Sequence, residues 1–65
     1  MSITEQDASD RLRNLGWGWT LTAGYPQMLG PRVPSPAERE LVVELEAHGW
    51  KRVRDGRGML LERRS

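Results

Sequence analysis

The opening of the chain sets apolar residues at near-helical spacing. Ala8, Leu12 and Leu15 recur on one face, and Ile3 is placed to staple the helix start. Thr4 or Ser2 can act as N-cap, with Glu5 and Asp7 in the first turn at the positive end of the dipole. Gly16 falls where a left-handed C-cap belongs. These positions predict a helix from about Thr4 to Leu15. Trp17-Gly18-Trp19-Thr20-Leu21-Thr22 then alternates strictly, with Trp17, Trp19 and Leu21 on one side, which predicts a half-buried strand. Gly18 leaves bare backbone on the other side, open to close approach by a neighbour.

Residues 23–34 are dense in Gly and Pro and read as a loop, with room for one short turn of helix or strand around Gln27-Met28-Leu29. A second helix follows. Ser35 caps it, Pro36 takes its first position and Glu38 completes a capping box. Leu41, Val42, Leu45 and His48 form one face, extended by Ala37, while Glu38, Glu40, Glu44 and Glu46 crowd the other. Gly49 ends it. The rest predicts a β-hairpin around Asp55-Gly56, or a four-residue loop that includes Gly58. Lys51, Val53, Leu60 and Glu62 share one hairpin face. Trp50, Arg52, Arg54, Met59, Leu61 and Arg63 share the other, and both faces are mixed, so either can meet the core.

The predicted order is helix, strand, loop, helix, β-hairpin. That is an α+β fold with two helices packed on a small antiparallel sheet, in one small domain spanning 1–65. Leu12-Arg13-Asn14-Leu15-Gly16-Trp17 is echoed by Leu45-Glu46-Ala47-His48-Gly49-Trp50 at an offset of 33. The echo has two readings. One is a duplicated helix–strand–strand unit, giving a four-stranded sheet with two helices on one face. The other is a chance recurrence of a Gly C-cap followed by a Trp-led strand.

Length sharpens the problem. A chain of 65 residues buries only about 60% of the surface its unfolded form exposes. It has no cysteine and one histidine, so neither disulfides nor an obvious metal can staple it, and no cofactor is implied. Trp17, Trp19 and Trp50 must supply much of the packing. Support from a homodimer or a larger complex fits such a chain. No long apolar run predicts a membrane span, and the polar, acidic Met1–Asp7 is unlike a signal peptide, so the expected location is cytoplasmic.

Net charge is +1 but unevenly placed. Residues 1–49 carry four Arg against seven carboxylates, whereas residues 50–65 carry six Lys and Arg against Asp55 and Glu62. Such an asymmetry suits an anionic partner, although basic residues also keep sheet edges from aggregating.

The span from Ser35 to Arg63 resembles the recognition helix plus wing of winged-helix DNA-binding domains. The matching features are the Ser-capped helix, the Leu45-x-x-x-Gly49 exit, and Trp50-x-x-Val53-x-Asp55-Gly56-Arg57-Gly58-x-Leu60-Leu61 as wing. Met28-Leu29-Gly30-x-x-Val33 would be the end of a preceding short helix and its turn. The resemblance implies that Arg57, at the wing tip, reaches into a minor groove, whose negative potential attracts Arg. Glu40, Val43, Glu44 and Ala47 would face outward on the recognition helix with Arg39 as its only cation, so the wing and not the helix would bind. The order of helix, Gly-aromatic strand, turn and strand also resembles small RNA-targeting toxins with a double-stranded-RNA-binding-like fold. Gly58-Met59-Leu60 lacks the histidine those toxins use, so that resemblance implies no nuclease activity.

His48 has no nearby Ser or Cys nucleophile and is expected to be structural. The Glu face is expected to be solvated, with no metal. The sequence thus points to a non-enzymatic nucleic-acid-binding regulatory protein, contacting double-stranded DNA through Lys51, Arg52, Arg54, Arg57, Arg63 and Arg64. The alternative is a small protein-interaction module or inhibitor docking on a larger partner, with Trp19 and Trp50 as contacts. Charge geometry separates them: the six hairpin cations with Arg11 or Arg13 on one face clear of the glutamates favour nucleic acid, and Glu40 and Glu44 beside the hairpin cations favour protein.

Overall fold

A computed structural model describes residues 3–22, 24–56 and 58–64, with the side chains of Thr22, Arg54 and Asp55 outside the described part. Thr4 Oγ1 accepts the Asp7 N–H at 3.1 Å and starts α1 (Glu5–Asn14). Ser35 starts α2 (Pro36–Ala47) with a complete capping box: its hydroxyl accepts the Glu38 N–H at 3.3 Å, and Glu38 accepts the Ser35 N–H at 2.8 Å. Each helix exits through a glycine at positive φ, Gly16 at 101° and Gly49 at 100°, a conformation that side chains with a Cβ resist.

Each helix feeds an antiparallel hairpin. α1 leads to β1 (Gly18–Thr22) and β2 (Tyr25–Gly30), and α2 leads to β3 (Trp50–Asp55) and β4 (Gly58–Arg63). The four strands form one sheet in the order β1-β2-β4-β3. Half of the predicted loop over 23–34, Tyr25–Gly30, is therefore strand. Pro26 is tolerated there because β2 pairs with β4 only from Gln27 onward, so the missing N–H interrupts no bond on that side. Toward β1, Pro26 faces Leu21. Having no N–H, Pro26 fits the kind of antiparallel pair that exchanges no hydrogen bonds.

Side chains fill the layer between helices and sheet. Ala8 and Leu12 of α1, Val42 and Leu45 of α2, Trp17, Trp50, and Met28 and Leu61 of the sheet are all buried, with Ile3, Leu41 and Met59 packed against them. The face that carries Trp50, Met59 and Leu61 is thus the core face. The opposite face, with Thr20, Gln27, Leu29, Lys51, Val53, Leu60 and Glu62, bears neither helix. Ala37 and His48, expected on the apolar face of α2, are exposed. Gly30 is set by packing: a Cβ there would lie 2.3 Å from Trp17 Cε2.

The offset of 33 runs through the helices and most of the strand pairing. Trp17 corresponds to Trp50, and Met28 to Leu61. Each pairing of β1 with β2, from Gly18↔Leu29 to Thr22↔Tyr25, recurs as Lys51↔Glu62 to Asp55↔Gly58 in β3 and β4. At the centre, Gln27↔Glu62 maps onto Leu29↔Leu60, and Met28↔Leu61 maps onto itself. The molecule is two helix–strand–strand units related by an approximate dyad through the Met28–Leu61 pair. That is the arrangement the sequence echo offered as its first reading.

Candidate interaction surface

Two reciprocal contacts lock the units together. Trp17 Nε1 donates to Glu38 Oε2 at 2.5 Å, and Trp50 Nε1 donates to Glu5 Oε2 at 2.9 Å. Each unit's tryptophan thereby bonds a glutamate in the first turn of the other unit's helix. A buried indole N–H needs an acceptor, and a carboxylate is a strong one. The Ser35 backbone N–H, the Trp17 indole and the Ser35 hydroxyl, in that order, hold the Glu38 carboxyl below its ordinary pKa. Trp50 is consequently a core side chain and not an exposed contact, and its hydrogen bond accounts for its one polar atom. Trp17 is likewise core. Trp19 is 46% exposed, with the Arg13 guanidinium 5.6 Å above its ring.

The cations of the second hairpin do not gather on one face. Arg52 forks onto Glu46, with Nε and Nη2 each 3.1 Å from a carboxylate oxygen. Arg63 Nε lies 3.0 Å from Glu5. Both belong to the helix-bearing side of the sheet. Arg64 reaches Glu62 at 3.0 Å and the Tyr25 hydroxyl at 2.9 Å, with its guanidinium 4.6 Å over the Tyr25 ring. Lys51 is exposed on the open face of the sheet. Arg57 and the Arg54 side chain lie outside the described residues. Among the described residues, the carboxylates that meet the hairpin cations are Glu5, Glu46 and Glu62. Glu44 instead faces the Ile3 N–H at 3.5 Å.

Met28-Leu29-Gly30, compared above with the end of a helix, is part of β2. Arg39, Glu40, Val43 and Ala47 are exposed along α2. His48 is the α2 C-cap, and its Nε2 lies 3.1 Å from the Ile3 carbonyl oxygen. Among the described residues, no three potential metal ligands come together.

The sequence reading missed a difference between the two units. Large exposed apolar side chains include Leu15 at 57%, Trp19, Leu21 at 62% and Leu29. Their counterparts in the second unit are His48, Arg52, Arg54 and Glu62. The fold is repeated and the core is repeated, but at these four positions one unit is apolar where the other is polar or charged; the reverse holds at Val43, 55% exposed, whose counterpart is Asp10. The signal was available in the sequence, once the two halves are aligned at the offset of 33. No family model matches the chain, and no curated protein or solved structure does so either. No helix is long and apolar enough to cross a membrane among the described residues.

Proposed function

We propose that this chain is a non-enzymatic protein-interaction module, a small regulator that works by docking. The observation that carries the reading is the unequal surface of two equal units: Leu15, Trp19, Leu21 and Leu29 are exposed where the fold demonstrably accepts His48, Arg52, Arg54 and Glu62. Of these, Trp19 and Leu21 stand together on the helix-bearing side of edge strand β1, and exposed apolar groups grouped in this way mark contact surfaces more often than isolated ones do. Pairing of Arg52, Arg63 and Arg64 with carboxylates supports the same reading, because it lowers the net field an anionic polymer would meet.

Double-stranded DNA binding through Lys51, Arg52, Arg54, Arg57, Arg63 and Arg64 is the second reading. It is favoured by the exposure of those ion pairs, with about half of the Arg52 and Arg63 side-chain surface open to solvent. Surface pairs are worth only about 0–1 kcal/mol, so a phosphate can displace the glutamate. Titration of a labelled random-sequence duplex at low and moderate salt decides between them. The interaction module gives weak binding with little salt dependence. A log–log slope near −5, as expected for about six phosphate contacts, overturns it in favour of DNA.

A further inference from the structure

The sheet has two free edges, β1 and β3, and the approximate dyad makes them equivalent positions. Their sequences are opposite in kind. β3 reads Trp-Lys-Arg-Val-Arg-Asp, with charge at four of six positions. β1 reads Gly-Trp-Thr-Leu-Thr and carries no charge. Proteins blunt sheet edges with charged residues, and Lys above all, because an open edge is a template for another strand. One edge of this molecule is protected and its equivalent is not.

The hydrogen-bonding groups of β1 can be placed. Pro26 has no N–H, so its pair with Leu21 exchanges no bonds, and by antiparallel alternation neither does the pair of Trp19 with Met28. The N–H and C=O of Trp19 and Leu21 therefore point away from β2, toward the open edge. Their side chains stand on the helix side of the sheet, 46% and 62% exposed.

We infer that β1 pairs with β1 of a second copy of this chain, antiparallel about Thr20, to make a continuous eight-stranded sheet. This rests on the interaction reading and names its partner. The register is self-consistent. Trp19 of each copy faces Leu21 of the other, and these are the residues whose backbone groups are free, so each pair exchanges two hydrogen bonds. An aromatic–aliphatic pair forms twice on the helix side. Thr20 meets Thr20 on the opposite side, in the closer pair that suits two β-branched residues. No like charges are opposed along the strand, whereas the same operation at β3 would set Arg52 against Arg54. The contact is isologous, so it closes at two copies. A five-residue edge is short beside a standard interface, which sets the expected dissociation constant in the micromolar range or weaker.

The test is sedimentation equilibrium of the full chain from micromolar to millimolar concentration, on wild type, Leu21→Arg, Trp19→Arg and Arg52→Ala. Wild type and Arg52→Ala should show one monomer–dimer equilibrium. Leu21→Arg and Trp19→Arg introduce the residue types found at the equivalent positions of β3 and should weaken it by at least ~10-fold. Should either variant fail to fold by circular dichroism, amide exchange on wild type replaces it: Trp19 and Leu21 N–H must gain protection as concentration rises. A wild-type monomer throughout the range overturns the proposal, as does a dimer that persists in folded Leu21→Arg or one whose Trp19 and Leu21 amides stay unprotected. A monomer leaves the interaction-module reading standing, since the DNA titration addresses that reading independently of β1.

Discussion

Replacing Gly30 with Ala puts a methyl group into the indole of Trp17. The added carbon would lie 2.3 Å from Cε2 and 2.4 Å from Cδ2 and Cζ2. Carbon atoms in contact sit roughly 3.5–4.0 Å apart, so the ring is too close by roughly 1.2 Å. Trp17 cannot retreat freely, because its indole N–H is bonded to Glu38 across the dyad. Either the ring swings away and weakens that charge-assisted bond, or β2 shifts and disturbs its pairing with β1 and β4. Overpacking of this kind costs about 1–3 kcal/mol. Gly→Ala also reduces unfolded-chain entropy, which offsets roughly 0.4–1 kcal/mol. A net loss of about 1.3 kcal/mol is expected, a large share of what so small a chain can have. Urea unfolding followed by tryptophan fluorescence and circular dichroism reads it directly. With a slope of about 1 kcal/mol/M the midpoint should fall by about 1.3 M. The equivalent residue, Arg63, sits across from Trp50 and that tryptophan is still buried. A midpoint unchanged within about 0.5 M would mean that Trp17 adopts a similar arrangement at no cost. The claim that Trp17 dictates glycine at position 30 would then be refuted.

Two further outcomes concern the junction of α2 with Trp17. Ser35→Ala removes the hydroxyl that accepts the Glu38 N–H, and should cost about 1 kcal/mol by thermal or urea unfolding; an unchanged stability would show that the box contributes nothing to the fold. The folded Glu38 carboxyl has a lowered pKa, so its stabilisation is present above the unfolded value and is lost as pH falls through the folded one. Wild type should therefore lose more stability than Glu38→Gln between neutral and acidic pH, with the Trp17 emission shifting alongside, and parallel pH profiles for the two proteins would contradict the linkage.

Local chemistry made the helices legible. Thr4, Ser35, Pro36, Glu38, Gly16 and Gly49 each act at the position their backbone preferences assign. The alternation of β1 and of the second hairpin was legible too. β2 was hidden because Pro26 and the flanking glycines give a loop signature, and the pairing that makes it a strand comes from β4, distant in sequence. The core face of the second hairpin was undecidable locally, since Arg52 and Arg63 stand at its rims beside buried Leu61. About half of each arginine side chain stays in solvent at those rims, where Glu46 meets Arg52 and Glu5 meets Arg63. Trp50 drew attention as a contact because nothing near it in sequence reveals its acceptor, Glu5, at the far end of the chain. Among the candidate surface residues Trp19 is exposed, while Leu15, Leu21 and Leu29 emerge only when their counterparts in the other unit are known.

The dyad also bears on the order of the chain. The segment between Gly30 and Pro36 carries the path from the end of one hairpin to the start of the next helix. Its equivalent would run from Arg63 back to Ile3, and the Arg63 side chain meets Glu5, two residues beyond Ile3, at 3.0 Å. To the sheet and its core, the two units have no first and second. A circular permutant that opened the Pro31–Pro34 connection and joined residue 64 to residue 3 would ask for the same contacts in the same places. What distinguishes the halves is written on their surfaces, not in the topology that holds them.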